Sequence, residues 1–217
     1  MSALHCQFFL NEWFFLMYVR NFIVGIFFGV LAVLPSYSQP VSDPAELVSQ
    51  VTADVLRAVQ MHKDDYQTDP DIYYSAINDA LGSNVNFERM AYLVMDATYY
   101  RASTAEQKAR FVEVFEHSLV ETYSRGLLSI DEAEFRVLPV DAPEGAQTVT
   151  VKQELDAGTA EVKLDYSMRR EPDGRWLMVN VIIDGINLGS TFRNQFAQSA
   201  RRFDGDLDLV IESWSSN

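Results

Sequence analysis

The chain has 217 residues, 48% of them hydrophobic and 22% charged, with a formal net charge of −14. This is the composition of a folded globular protein rather than a disordered one. The acidity argues against nucleic acid as a partner, because phosphate binding needs a basic surface, and it disfavours broad electrostatic docking on anionic lipid headgroups.

Met17-Tyr18-Val19-Arg20-Asn21 reads as the short basic start of a secretory signal. Phe22 to Leu34 is its apolar stretch, and Ser36-Tyr37-Ser38 supplies the small residues of a cleavage site. The expected layout is therefore 1–38 as N-terminal extension and signal peptide, and 39–217 as a single domain. Residues 1–16 read as upstream extension from a misassigned start. A membrane anchor is the competing reading, since Phe14 to Leu34 nearly reaches the length of a bilayer span, interrupted by Arg20 and Asn21. Cys6 is the single cysteine and lies in the segment expected to be removed, which leaves the rest without disulfide or thiol chemistry.

Asp43-Pro44-Ala45-Glu46 is a helix start, with Asp as N-cap, Pro at the first helical position and Glu three after the cap. Leu47, Val48, Val51, Val55 and Val59 continue it at helical spacing towards His62. A second helix is predicted from Pro70 to Leu81, ended by Gly82, and a third from about Asn86 to Tyr100. Ser103-Thr104-Ala105-Glu106 reads as a capping box opening a long fourth helix, in which Phe111, Val114, Phe115, Leu119 and Tyr123 keep an i, i+3, i+4 rhythm.

The period then changes to two. Phe135 to Val140 is a possible strand with Pro139 marking an edge or an end. Val149, Val151 and Leu155 alternate with polar residues, as do Val162, Leu164, Tyr166 and Met168. Pro172-Asp173-Gly174 turns the chain into Trp176 to Ile183, apolar on both sides and so expected to be covered on both. Asp184-Gly185 then makes a turn towards two last helices, Ser190 to Arg202 and Gly205 to Trp214. The plan is α+β, with helices packed over a roughly four-stranded antiparallel sheet.

Reaction chemistry is hard to find. His5, His62 and His117 are too scattered for a transition-metal site. No Ser sits in a G-x-S-x-G elbow. Asp64-Asp65, Asp131-Glu132 and the Asp204-Gly205-Asp206-Leu207-Asp208 run read as solvated charge, the last lacking the Glu that closes a calcium loop. No cofactor and no metal site is expected. The large apolar residues on two opposed layers either fill one another's gaps, as in most cores, or leave a hollow between them.

The ordered motifs resemble a known family. Ala97-Thr98-Tyr99-Tyr100-Arg101 precedes Ser103-Thr104-Ala105-Glu106-Gln107, and Phe111, Phe115, Leu119 and Tyr123-Ser124 follow. The closing pattern is Trp176, Val181-Ile182-Ile183-Asp184-Gly185-Ile186-Asn187-Leu188 and Phe192-Arg193-Asn194-Gln195-Phe196. This looks like the MlaC-type periplasmic phospholipid-binding proteins, the toluene-tolerance auxiliary family of an ABC transport system. The likeness spans nearly all of residues 43–215. The family's Val-Leu-Gly-x-Tyr-Trp-Arg-like segment corresponds here to Val94–Arg101, with no Gly and with Tyr100 in place of Trp. Asn180 stands where an acidic residue is common.

The resemblance implies an apolar cavity between helices and sheet, and a soluble periplasmic carrier. Such a carrier moves glycerophospholipid between an outer-membrane lipoprotein–porin complex and an inner-membrane ABC transporter complex, maintaining outer-membrane lipid asymmetry. Two acyl chains of about fifteen methylenes, at ~0.8 kcal/mol each, would otherwise expose roughly 20 kcal/mol of hydrocarbon to water. The lining residues it implies are Val94, Phe111, Phe115, Leu119 and Tyr123 from the helices. Val149, Val151, Val162, Leu164, Tyr166, Trp176 and Val181 follow from the sheet, and Ile186, Phe192 and Phe196 from beyond it. For Arg193, contact with a phosphate at the mouth and a solvated helix position both stay open. The alternative function is an isomerase or hydrolase acting on an apolar substrate, which needs a titratable residue in the cavity: Asp165, Asp184 or His117.

Overall fold

Six α-helices and a five-stranded antiparallel sheet make up what the computed structural model describes, residues 43–214 without 130–133, 141, 144, 157, 159 and 160. The export signal, His5, Cys6 and the Asp131-Glu132 pair lie outside the described residues. Among the described residues no helix is long and apolar enough to cross a membrane.

Helix α1, Pro44–His62, starts as its sequence dictates: the Asp43 carboxylate accepts from the Ala45 amide at 2.8 Å and Pro44 occupies the first turn. Helix α2, Pro70–Leu81, is capped by Asp69 and ends at Gly82, whose φ of 50° lies where other residues are strained. Helix α3, Phe87–Ala102, is broken at Asp96, which holds φ 61° and ψ 159°. Helix α4, Ala105–Leu127, opens one residue later than the motif suggests. Thr104, not Ser103, is the N-cap, and Gln107 closes the capping box. The Ser103 hydroxyl instead donates to the Tyr99 carbonyl at 2.7 Å, a second bond beside the one that carbonyl accepts from the Ser103 amide at the end of α3.

The strands are β1 (Glu134–Val137), β2 (Thr148–Asp156), β3 (Glu161–Arg170), β4 (Trp176–Ile183) and β5 (Ile186–Asn187), in that order across the sheet. The fifth strand exceeds the expected four. It arises because Asp184 (φ 48°) and Gly185 (φ 81°) form a two-residue hairpin with both central residues at positive φ, which matches the twist of paired strands. The Asp184 carboxylate accepts from the Lys163 amide at 2.8 Å and holds the turn to β3. Helices α5 (Leu188–Arg202) and α6 (Leu207–Trp214) complete the chain.

Pairing register aligns Phe135, Leu155 and Val162 in one row, Gln153, Leu164 and Ile183 in the next, and Val151, Tyr166 and Val181 in a third. These side chains point towards the helices. The opposite face carries Lys152, Glu154, Lys163 and Asp165 with Leu138 and Ile182 among them. Ile182 is half-buried there. The expected cover on both sides of β4 is thus replaced, at its C-terminal half, by a charged face whose long side chains shield apolar neighbours with their stems.

Candidate functional site

Three clusters of buried side chains surround the space between helices and sheet. The first joins α3, α4, α5 and α6 through Val94, Phe111, Phe115, Phe196, Val210 and Trp214. The second joins α1 to the sheet through Leu47, Val48, Val51, Val151, Met168 and Trp176. The third joins α1, α2 and α4 through Val59, Tyr73, Tyr74, Ile77 and Val120.

Between them lies a cavity of about 450 Å³. Val51, Thr52, Val55 and Leu56 of α1 line one wall. Ile77 and Leu81 of α2, with Val85, Phe87 and Met90, line the next, and Leu119, Val120, Tyr123, Ser124 and Leu127 come from α4. The sheet contributes Phe135, Gln153, Leu155, Val162, Leu164, Tyr166, Met178, Asn180, Val181 and Ile183. Among the described residues the lining contains no acidic, basic, histidine or cysteine side chain. Met90, Met178 and Leu188 are buried at one part of the wall, whereas Tyr123 is 38% exposed and Gly126 is exposed, so the cavity meets solvent beside the C-terminal half of α4.

Burial pushes the Tyr166 hydroxyl up to about 12, so it remains a neutral donor at any ordinary pH. Burial also raises Tyr123. The Tyr166 hydroxyl donates to Gln153 Oε1 at 2.9 Å, and Gln153 Nε2 donates to Thr52 Oγ1 at 3.0 Å. Asn180 Oδ1 accepts from the Gly189 amide at 3.0 Å, and its Nδ2 donates to Asn187 Oδ1, which caps α5. A neutral amide suits this position because it offers both an acceptor and a donor.

Of the lining residues implied by the family pattern, the structure brings Leu119, Tyr123, Val162, Leu164, Tyr166 and Val181 together around this cavity. Val94, Phe111, Phe115 and Phe196 do not reach it: they are 0–1% exposed in the first cluster, with Phe192 packed against it. Val151 and Trp176 belong to the second cluster, with Val149 against it. Ile186 stands on the hairpin edge, 60% exposed. Arg193 Nε donates to the Leu93 carbonyl at 2.9 Å, where the break at Asp96 interrupts the helical ladder. The wall from α1 and α2, and Gln153 on β2, were missing from the expected set. A polar residue at an inward position between Val151 and Leu155 was the available signal for Gln153.

The titratable groups that an enzyme would need lie elsewhere. Asp165 and Asp184 line the outer face of the sheet, and His117 faces a cleft between α2 and α4. His62 Nδ1 is 2.8 Å from Asp65 Oδ2, closing the end of α1. In the acidic run, Asp206 accepts from the Asp208 and Leu209 amides at the start of α6, while Asp208 pairs with Arg110 at 2.7 Å. Among the described residues no group of His, Cys, Asp and Glu could hold a metal ion.

Fold and pocket together define an α+β container: helices over one face of an antiparallel sheet, around an uncharged, mostly apolar cavity. Comparison with known proteins agrees with that class. The family model described as "MlaC protein" matches residues 49–216, and the chain belongs to that family. It is 31% identical over 186 residues to the toluene tolerance protein ttg2D of Pseudomonas putida, covering 86% of each chain. Its fold is similar to that of a phospholipid-binding protein from Ralstonia solanacearum solved in complex with a phospholipid. That match has a TM-score of 0.73 at 21% identity, over 80% of this chain and 96% of the other.

Proposed function

We propose that the protein is a periplasmic carrier, exported by a cleaved signal in residues 1–38, whose single domain from residue 39 shields phospholipid acyl chains in transit. It would exchange lipid with an inner-membrane ABC transporter complex and an outer-membrane lipoprotein–porin complex, and so serve outer-membrane lipid asymmetry. The observation that carries this reading is the uncharged cavity between α1, α4 and the sheet. Its volume of about 450 Å³ falls within the ~300–1,000 Å³ of small-molecule pockets. At roughly 30 Å³ per methylene, taken as the share of one water in the liquid, that is room for about one chain of fifteen. A diacyl lipid then requires α1 and α4 to part or its second chain to lie along the open side.

Physically, a container of hydrocarbon-like polarity makes lipid exchange nearly neutral in free energy, because each methylene leaves one apolar surrounding for another. Direction must be supplied from outside, as by ATP hydrolysis in a transporter.

The test is extraction of the gently purified protein with organic solvent, followed by mass spectrometry. Phospholipid in near-stoichiometric amount is expected. Leu164→Trp, which puts an indole into the cavity from mid-strand β3, should abolish recovery while leaving the circular dichroism spectrum unchanged. No lipid from the unaltered protein, or full recovery from Leu164→Trp, would defeat the proposal.

A further inference from the structure

Gln153 is out of place in a cavity for hydrocarbon. It is 1% exposed and sits at an inward position of β2, where its neighbours on the same face are Val151 and Leu155. It is held from both sides: Tyr166 donates to its Oε1, and its Nε2 donates to Thr52 Oγ1 across the cavity on α1. All three residues line the pocket.

This cluster has hydrogens to spare. A primary amide carries two, and Thr52 takes one; the Thr52 hydroxyl accepts that bond and keeps its own hydrogen to give. Among the described residues neither remaining hydrogen meets a protein acceptor. Gln153 is buried and Thr52 half-buried, and a donor left unpaired against apolar walls is costly, whereas an apolar pair would tie α1 to β2 without that penalty. Tyr166 is protonated and already committed to Gln153 Oε1, so it fixes which way the amide faces: the carbonyl is occupied and the free N–H side is what the cavity sees.

Depth matters too. Phe135, Leu155 and Val162 form the outermost row, with Phe135 and Val162 half-buried, and Gln153 lies one strand repeat further in, about 7 Å. That is the depth of the group joining a polar headgroup outside to hydrocarbon inside. Such a group in a phospholipid is an acceptor without a donor: the ester carbonyl.

Resting on the carrier reading, we infer that Gln153 and Thr52 form a subsite for an acyl-ester carbonyl oxygen. This oxygen accepts from Gln153 Nε2 and the Thr52 hydroxyl, so that ester-linked lipids are preferred to ether-linked ones. Tyr166 is a positioning residue. The acyl chain runs inward past Val181 and Met178, and the phosphate stays beyond Leu155.

The experiment offers the delipidated protein equal amounts of diester and diether phosphatidylglycerol with the same chains, and reads the retained ratio by mass spectrometry. One net hydrogen bond predicts a diester preference of roughly five- to tenfold. Gln153→Met and Thr52→Val should each lower the ratio, and together bring it near one, while still retaining diether lipid. Thr52→Val is isosteric and carries the test if Gln153→Met does not fold. Equal uptake by the unaltered protein, or a preference that survives both substitutions, overturns the subsite alone. Uptake of neither lipid overturns the carrier reading and the subsite with it.

Discussion

Helix α4 is one continuous helix with two different neighbours. Its first half sends Phe111 and Phe115 into a packed aromatic cluster; its second half presents Leu119, Val120, Tyr123, Ser124 and Leu127 to the cavity. In the cluster the ring centroids of Phe111 lie 5.0 Å from Phe196, 5.4 Å from Trp214 and 5.7 Å from Phe115, within the range of favourable edge and offset contacts. Opposite the second half the facing side chains are mainly Val, Leu and Ile from strands and α1, too short to meet in the middle. Apolar residues on two layers therefore do not by themselves mark a hollow. The hollow lies where short aliphatic side chains outnumber the rings of Phe87, Tyr123, Phe135 and Tyr166 on its walls, and the packed ring cluster around Phe111 marks where it stops.

The sharpest way to break this comparison is to truncate one residue on each side. Phe111→Ala removes a fully buried ring from the filled cluster and should cost about 3–5 kcal/mol. Leu164→Ala removes a half-buried side chain that borders space already empty, so few contacts are lost, and should cost about 1 kcal/mol. Denaturant unfolding of both variants, free of lipid, checks the order. Equal costs would mean that the cavity wall is packed as tightly as the cluster.

A smaller effect separates the cavity from the third cluster by pH. Burial pushes Tyr73, in that cluster, and Tyr166, in the cavity, each to about 12, with Tyr74 and Tyr66 adding to the rise at Tyr73. A raised folded-state value means that the native protein holds these protons more tightly than the unfolded chain. The associated stability is fully present below about pH 10, the ordinary tyrosine value, and is lost as pH climbs towards 12. Unfolding free energy should be level on this account up to about pH 10 and fall beyond it. Tyr166→Phe should make the fall shallower. Bound lipid should steepen the unaltered protein's fall, because it keeps Tyr166 dry; a slope indifferent to lipid would place that ring outside the binding space.

Much of the architecture was legible because its signals are local. The Asp43-Pro44 start, Gly82 and the helical spacing of Phe111, Phe115 and Leu119 act within a turn or two, and alternation from Val149 to Met168 marks β2 and β3 directly. The two-residue β5 was not legible, since no period can be read from Ile186 and Asn187. Only part of the site could be read for a related reason. Periodicity tells which face of α4 is apolar, but not that Trp214, from the far end of the chain, fills the space beside Phe111 and leaves the space beside Leu119 open. The contribution of α1 depends on the same non-local fact. Gln153 differs: its polarity at an inward position was visible, and only the burial and the bonds to Thr52 and Tyr166 give it meaning.

Asp96 marks the boundary of the filled side, and it carries the finest test. At φ 61° and ψ 159° it occupies a region that is essentially glycine's own, at a cost of order 1–3 kcal/mol. The side chain recovers only a long 3.4 Å contact with the Thr98 amide. The break turns the end of α3 so that Tyr99 packs on Phe196, with ring centroids 5.5 Å apart, and it leaves the Leu93 carbonyl for Arg193. Asp96→Gly removes the backbone strain but adds freedom to the unfolded chain, which offsets part of the gain. The net expectation is a stabilisation of about 1 kcal/mol, seen as a higher denaturation midpoint with unchanged lipid recovery. Loss of stability would mean that the bend is held by the aspartate itself, and the filled cluster would then depend on a polar contact rather than on its rings.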